Sequence, residues 1–409
     1  MAETDIQDLC AWLDASPTPF HVVDTASRRL EAAGFRLHAG LSDGIDDSGH
    51  MVQDGAIIAW RGISTGPLRI IGAHTDSPNL RIQPRPDFRT SGWSQLGIEI
   101  YGGVLLNSWL DRDLGVAGRV IDGQGRAHLF NVTAPLARIP QLAIHLDRDV
   151  NERGLLLDRS AHLSPVWGTQ TPDFGSWLTD ITGVDRVVSF DAHLHDITPA
   201  TLLGVDASLL ASARLDNQLS CWAAITALVS SPSTTATIVV LNDHEEVGSA
   251  STTGAAGPML ENLVGAVCES RGLGAGARRD LMAESWCLSA DNAHALHPNY
   301  QDRHDPRHQP LPNHGPALKL NGNQRYATSA RGAAHMVSLA SAAGVPLQTF
   351  VSRNNMPCGS TIGPITATRL GIEAIDIGVP QLSMHSAREV CGAHDPGHLV
   401  ALMTAFVAA

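Results

Sequence analysis

At 409 residues, 43% of them hydrophobic and 17% charged, the chain is long enough for more than one domain and too apolar to be disordered. A formal net charge of −13 argues against a nucleic-acid binder, which needs clustered Lys and Arg. No stretch approaches the ~20 apolar residues of a membrane span, and the acidic start MAETDIQDLCAWL lacks the basic and apolar regions of a signal peptide.

The six cysteines, Cys10, Cys221, Cys268, Cys287, Cys358 and Cys391, are scattered without a CxxC pair. They read as reduced thiols of a cytoplasmic protein, not as a zinc finger or a disulfide framework.

Helical periodicity opens the chain over 5–13 and 22–33, interrupted at Pro17 and Pro19. Short apolar runs at 56–61 and 68–73 read as strands, the second covered on both faces. Pro84 to Pro86 then breaks the pattern. From about 95 to 200 the character changes: β-like segments over 97–106, 115–121 and 127–132 are separated by turns such as Asp122-Gly123. Residues 91–205 are therefore read as an inserted, β-rich domain.

After about 205, helices (217–230, 261–267, 330–343, 365–370, 397–407) alternate with strands (237–241, 286–290, 347–351, 373–379). This rhythm implies an α/β fold, a largely parallel mixed sheet covered by helices on both faces, formed by 1–90 and 206–409.

Ligands of open α/β sheets bind beyond the carboxyl ends of the strands. After 68–73 comes His74-Thr75-Asp76, an imidazole able to hold zinc and a carboxylate two residues on that can orient its ring. Asp216 precedes a helix, where an N-cap aspartate is ordinary; its two oxygens can also bridge two cations, and the roles are compatible. After 237–241 comes Asn242-Asp243-His244-Glu245-Glu246, in which one acid can bind metal while its neighbour stays free as a base. Asp291 and His294 follow 286–290, and His385 follows 373–379.

His74, Asp216, Glu246, Asp291 and His385 thus offer ligands for two divalent ions. One would take His74, Asp216 and Asp291, the other Asp216, Glu246 and His385. The mixed N and O donors suit Zn²⁺, with Co²⁺ or Mn²⁺ as alternatives. His193, His195 and the histidines over 304–314 read as loop residues.

Ala73-His74-Thr75-Asp76-Ser77-Pro78, Arg214-Leu215-Asp216-Asn217, His244-Glu245-Glu246-Val247-Gly248-Ser249, Ser289-Ala290-Asp291, His297-Pro298-Asn299, Asn323-Gln324-Arg325-Tyr326-Ala327 and Met384-His385-Ser386 resemble, in order, the M18 aspartyl aminopeptidases. The resemblance implies an α/β proteolytic domain interrupted by a β-rich dimerisation domain, and a homo-oligomer, a tetrahedral dodecamer. It implies peptides with a free N-terminus as substrates, Glu245 as general base and Asp76 as the residue orienting His74. It places His294 and Lys319 near the pocket for an acidic first side chain. His145 resembles a histidine that the insert contributes to a neighbouring subunit's active site. An aminopeptidase of broad preference, a two-metal amidase or deacylase, and a non-enzymatic assembly remain as alternatives.

Overall fold

The strand Thr237–Asn242 shows how the main sheet is covered. Ile238 and Val240 pack on one side with Met259, Leu263, Val264 and Val267, while Val239 and Leu241 pack on the other with Leu219, Ala223 and Leu399. Alternation along a pleated strand thus feeds two cores, and helices are needed on both faces. The computed structural model describes residues 3–42, 44–232 and 234–409, which fall into two compact units.

The first unit comprises 1–76, 200–384 and 389–409. Its nine-stranded sheet runs, in spatial order, Arg36–Leu37, Ser48–Gln53, Ala56–Arg61, Thr237–Asn242, Arg69–His74, Trp286–Ala290, Glu373–Gly378, Ala317–Leu320 and Gln348–Val351. The four strands from Thr237–Asn242 to Glu373–Gly378 are mutually parallel. Ala56–Arg61 joins Thr237–Asn242 antiparallel, as does Ala317–Leu320 its neighbour Glu373–Gly378. The sheet is therefore mixed, with its parallel part at the centre.

Helices Glu3–Ala15, Pro19–Ala32, Leu215–Ser230, Ala330–Ala343 and Asp395–Ala408 supply one core; Met259–Ser270 and Ala275–Glu284 supply the other. Pro19 is accommodated because the first turn of a helix has no use for its missing N–H. A smaller sheet, Thr201–Leu203, Leu209–Ser212, Glu389–Gly392, Pro380–Leu382 and Ala293–His294, carries the segments that follow the main strands.

The second unit comprises 77–199 with 385–388. Its six-stranded antiparallel sheet has the order Ala127–Ala137, Leu114–Asp122, Val187–Asp196, Asn79–Thr90, Trp93–Tyr101 and Val166–Gly168. Phe174 and Leu178 of the helix Phe174–Thr182, whose N-terminus is capped by Asp173, pack into the core of this sheet with Trp167 and Leu194.

The unit begins at Ser77 and not at 91, because Asn79–Thr90 is a strand despite Pro84 and Pro86. Its pairing with Trp93–Tyr101 slips between Ile82 and Asp87, so the prolines sit in a bulge that asks no ladder N–H of them. His193 and His195 are buried in Val187–Asp196, not in a loop.

Candidate metal centre

Three parallel strands deliver the site at their carboxyl ends: Arg69–His74 ends in His74, Thr237–Asn242 runs into 243–247, and Trp286–Ala290 into Asp291. Carbonyls at such ends lose their ladder partners, and buried donors replace them. Asn217 Nδ2 donates to the Ala290 carbonyl (2.8 Å), and in the reverse direction Asn292 Nδ2 donates to the carbonyl of Leu215, which opens the helix Leu215–Ser230 (2.8 Å). Gln218 Nε2 donates to the Thr75 carbonyl (3.2 Å) and Cys221 Sγ to that of His74 (2.9 Å).

His74 Nδ1 lies 3.0 Å from the Asp76 carbonyl oxygen and 3.4 Å from its carboxylate. A proton on Nδ1 leaves Nε2 as the ligand atom. The fully buried Asp76 carboxylate accepts the backbone N–H groups of Glu245 (3.0 Å) and Glu246 (3.1 Å), holding both acids. Asp216 stands in the first, non-helical turn of Leu215–Ser230, and its peptide to Asn217 is cis. Its backbone N–H donates to Glu389 Oε2 (2.9 Å).

His74 Nε2 is 3.6 Å from Asp216 Oδ1, 3.6 Å from Asp291 Oδ1 and 4.0 Å from Glu245 Oε2. Donor atoms of His74, Asp216 and Glu246 all lie within 4.8 Å of one another. Ligand atoms of a tetrahedral zinc ion with bonds of 2.0–2.1 Å are about 3.4 Å apart, so these donors fit a divalent ion.

Electrostatics agree. Burial alone would lower the His74 pKa, but Asp291, Asp76 and Glu245 outweigh it and hold it well above the ordinary imidazole value. Burial, reinforced by the charges of Asp291, Asp76 and Asp216 against the opposing pull of His74, pushes the Glu245 carboxyl up to about 7. Both shifts express a cavity short of positive charge, which a dication supplies. Cys221 is no rival ligand: burial pushes its thiol up to about 12, so it stays protonated.

Asp291 differs from the other acids. Burial raises its carboxyl, yet the Lys319 ammonium, with His74, holds it well below the usual carboxylate range. Lys319 Nζ donates to Asp291 Oδ2 at 3.1 Å, lies 5.1 Å from the Tyr326 ring centre, and the residue is only 2% exposed. The lysine placed by the sequence reading at an acidic first side chain is thus paired with Asp291 inside the protein.

His294 is exposed, edge-on to Phe350 at 5.9 Å between ring centres. His385 belongs to the second unit, where its Nδ1 is 3.1 Å from the Gly103 carbonyl and its φ is +68°. His145 is exposed on the turn Ile144–Leu146 of that unit. Sequence reasoning missed Glu389 and Asn292: a lone glutamate in a strand and an asparagine after an aspartate carry no motif that predicts their bonds.

The family model described as "Aminopeptidase I zinc metalloprotease (M18)" matches residues 12–407. A "Probable M18 family aminopeptidase 2" of Streptomyces coelicolor is 48% identical over 417 residues, covering 98% of this chain and 96% of that protein. Among solved structures, one titled as the Ape4 and Nbr1 complex superposes with a TM-score of 0.94 at 34% identity, covering 99% of this chain and 86% of that one. The Saccharomyces cerevisiae mApe1 dodecamer superposes at 0.84 with 26% identity, covering 98% and 96%.

Proposed function

The chain belongs to the M18 family of zinc metallo-aminopeptidases, and on that premise we propose that it removes the N-terminal residue from peptides by a two-metal mechanism, preferring acidic first residues. The observation that carries this reading is the donor group of buried His74 and Asp216 with half-buried Glu246, and a further acid, Glu245, beside it. Asp291 and, by resemblance, His385 complete the ligand set. Bound divalent ions, zinc first, would supply Lewis-acid polarisation of the scissile carbonyl and acidify the attacking water.

The residues of the chain do the rest. Glu245 takes the proton from the attacking water and returns it to the leaving amine, the task of a general base. Asp76 holds the backbone of Glu245 and Glu246 in register with His74. The surrounding carboxylates attract the free α-ammonium of a peptide, which restricts cleavage to the first bond. His294, exposed at the end of Ala293–His294, is the group assigned to an acidic first side chain.

Initial rates on Asp-, Glu- and Leu-amide reporters, with metal-loaded and chelator-stripped protein, test the reading. Metal-dependent cleavage led by Asp or Glu is expected. A Leu preference would discard the acidic pocket, and cleavage restricted to N-acylated substrates would favour a deacylase. Glu245→Gln should lose about 100- to 10,000-fold in kcat while retaining its metal; full activity would remove Glu245 from its role.

The second unit is assigned to dimerisation within a homo-oligomer, a tetrahedral dodecamer, with His145 reaching a neighbouring subunit's active site. Exposed apolar side chains flanking His145 in the chain support an interface there: Leu142, Ile144 and Leu146. Among the described residues no helix is long and apolar enough to cross a membrane. A cytoplasmic location is proposed on the six cysteines, which are free thiols.

A further inference from the structure

We propose that Glu389 is a positioning residue for Asp216: from a distant strand it grips the main chain of the acid shared by both ions, and so sets the affinity of both metal positions. The inference rests on the two-metal reading.

The contact falls on one peptide unit. Glu389 Oε2 accepts the Asp216 N–H at 2.9 Å, and Asn292 Nδ2 donates to the Leu215 carbonyl at 2.8 Å. That N–H and that carbonyl belong to the same trans peptide and point in opposite directions. The unit is therefore clamped from both sides, and the Asp216 Cα with it. The main chain of Asp291 is braced in the same way. Asn217 Nδ2 donates to the Ala290 carbonyl at 2.8 Å, and the Asp291 N–H donates to the Ile377 carbonyl at 3.0 Å, again the two ends of one peptide. Asn217 follows Asp216 and Asn292 follows Asp291, so the neighbour of each acid holds the main chain of the other. Of these four clamping groups only Glu389 is ionisable.

The helix Leu215–Ser230 cannot hold this N–H by itself. Amides of a first helical turn have no acceptor within the helix, Asp216 and Asn217 have non-helical backbone angles, and Arg214 at the cap makes no side-chain cap bond. An unmet N–H here would be costly, since Asp216 is only 3% exposed. Glu389 is itself 1% exposed, and its strand, Glu389–Gly392, is paired on both edges, with Leu209–Ser212 and with Pro380–Leu382. Burying a carboxyl costs free energy, but an acceptor able to carry charge makes the stronger hydrogen bond.

Asp216 belongs to both ligand groups, His74, Asp216 and Asp291 for one ion and Asp216, Glu246 and His385 for the other. Displacing its main chain therefore weakens both positions together.

The test is calorimetric titration of the metal-stripped full chain with Zn²⁺, beside the visible spectrum of the Co²⁺-loaded chain, whose bands follow ligand geometry. Wild type is compared with Glu389→Gln, Glu389→Asp and Glu389→Leu. Gln keeps an acceptor oxygen at the same reach without the charge. Asp keeps the charge but is shorter by one methylene, and it carries the question should the Leu variant not fold. Asp and Leu should weaken both ions by about 10- to 100-fold, the scale on which groups behind a ligand act on a metal. They should also shift the Co²⁺ bands, and Gln should restore both readouts toward wild type. Wild-type affinity and spectrum in the Asp variant overturn this inference alone. So does a lower melting temperature of the metal-free variants with unchanged metal binding, which leaves Glu389 as a helix cap. Weakened binding in Gln with normal binding in Asp overturns it too, because charge and not the clamp would then act. A wild type that takes up fewer than two ions overturns the two-metal reading, and this inference with it.

Discussion

Glu245 and Asp291 are acids of one pocket driven in opposite directions. Burial and three neighbouring carboxylates push Glu245 up to about 7, while Lys319 and His74 overcome burial to hold Asp291 down. On the proposed mechanism, such divergence separates the base, Glu245, from a metal-holding acid, Asp291. It also has a stability consequence in metal-free protein. A carboxyl raised in the fold contributes stability that is fully present below its unfolded value of 4.5 and is lost as pH rises through about 7. Glu245→Gln cannot titrate and escapes that loss. The melting temperature of the metal-free variant should rise relative to wild type between about pH 5 and pH 8, and a constant difference across that range would refute the shift.

At the scale of elements, the ends of the parallel strands do the positioning. The close approach of Asp291 to Glu373–Gly378 requires a residue without Cβ at 378, since the added atom would meet the Asp291 carbonyl at 1.9 Å. Gly378→Ala should cost about 1–3 kcal/mol in chemical denaturation by forcing the strands apart, and it should weaken metal binding because Asp291 moves with the backbone. Loss of stability with unaltered metal affinity would show that the ligand is placed by other contacts. The buried amides of Asn217, Gln218 and Asn292 belong to the same scale, because each ties a ligand-bearing segment to its neighbour through a main-chain carbonyl.

For the whole molecule, two measurements follow from the proposed assembly and metal content. Saturating zinc should raise the unfolding free energy by about 2.7 kcal/mol at a free concentration 100 times Kd, and a chelator should reverse it. Absence of any metal-dependent shift would contradict a folded-state site. Sedimentation equilibrium should return a mass of about twelve chains of 43.3 kDa if the mApe1 dodecamer is the right guide, and a monomer would remove that assignment.

Much of this was legible in the linear sequence, and the reason is local. Runs such as 237–241 and 286–290 are apolar on both faces, and the polar residues that immediately follow them are conspicuous: His74, Glu245, Glu246 and Asp291 each sit at the end of such a run or within a few residues of it. The α/β fold and the placement of these residues beyond strand ends follow from periodicity and chain order alone. Other features depend on partners far away in the chain. The bulge that admits Pro84 and Pro86 exists because of the pairing with Trp93–Tyr101. The burial of His193 and His195 is decided by the neighbouring strands Leu114–Asp122 and Asn79–Thr90. Glu389 reaches the Asp216 backbone from 173 residues away. Lys319 reads as a strand lysine near substrate until the fold brings it against Asp291, 28 residues distant. Side-chain type and period therefore determined which residues could do chemistry. Which acid is pushed up, which is held down and which pairs with a lysine was decided by tertiary proximity, since charges shift one another only across the distances that folding sets.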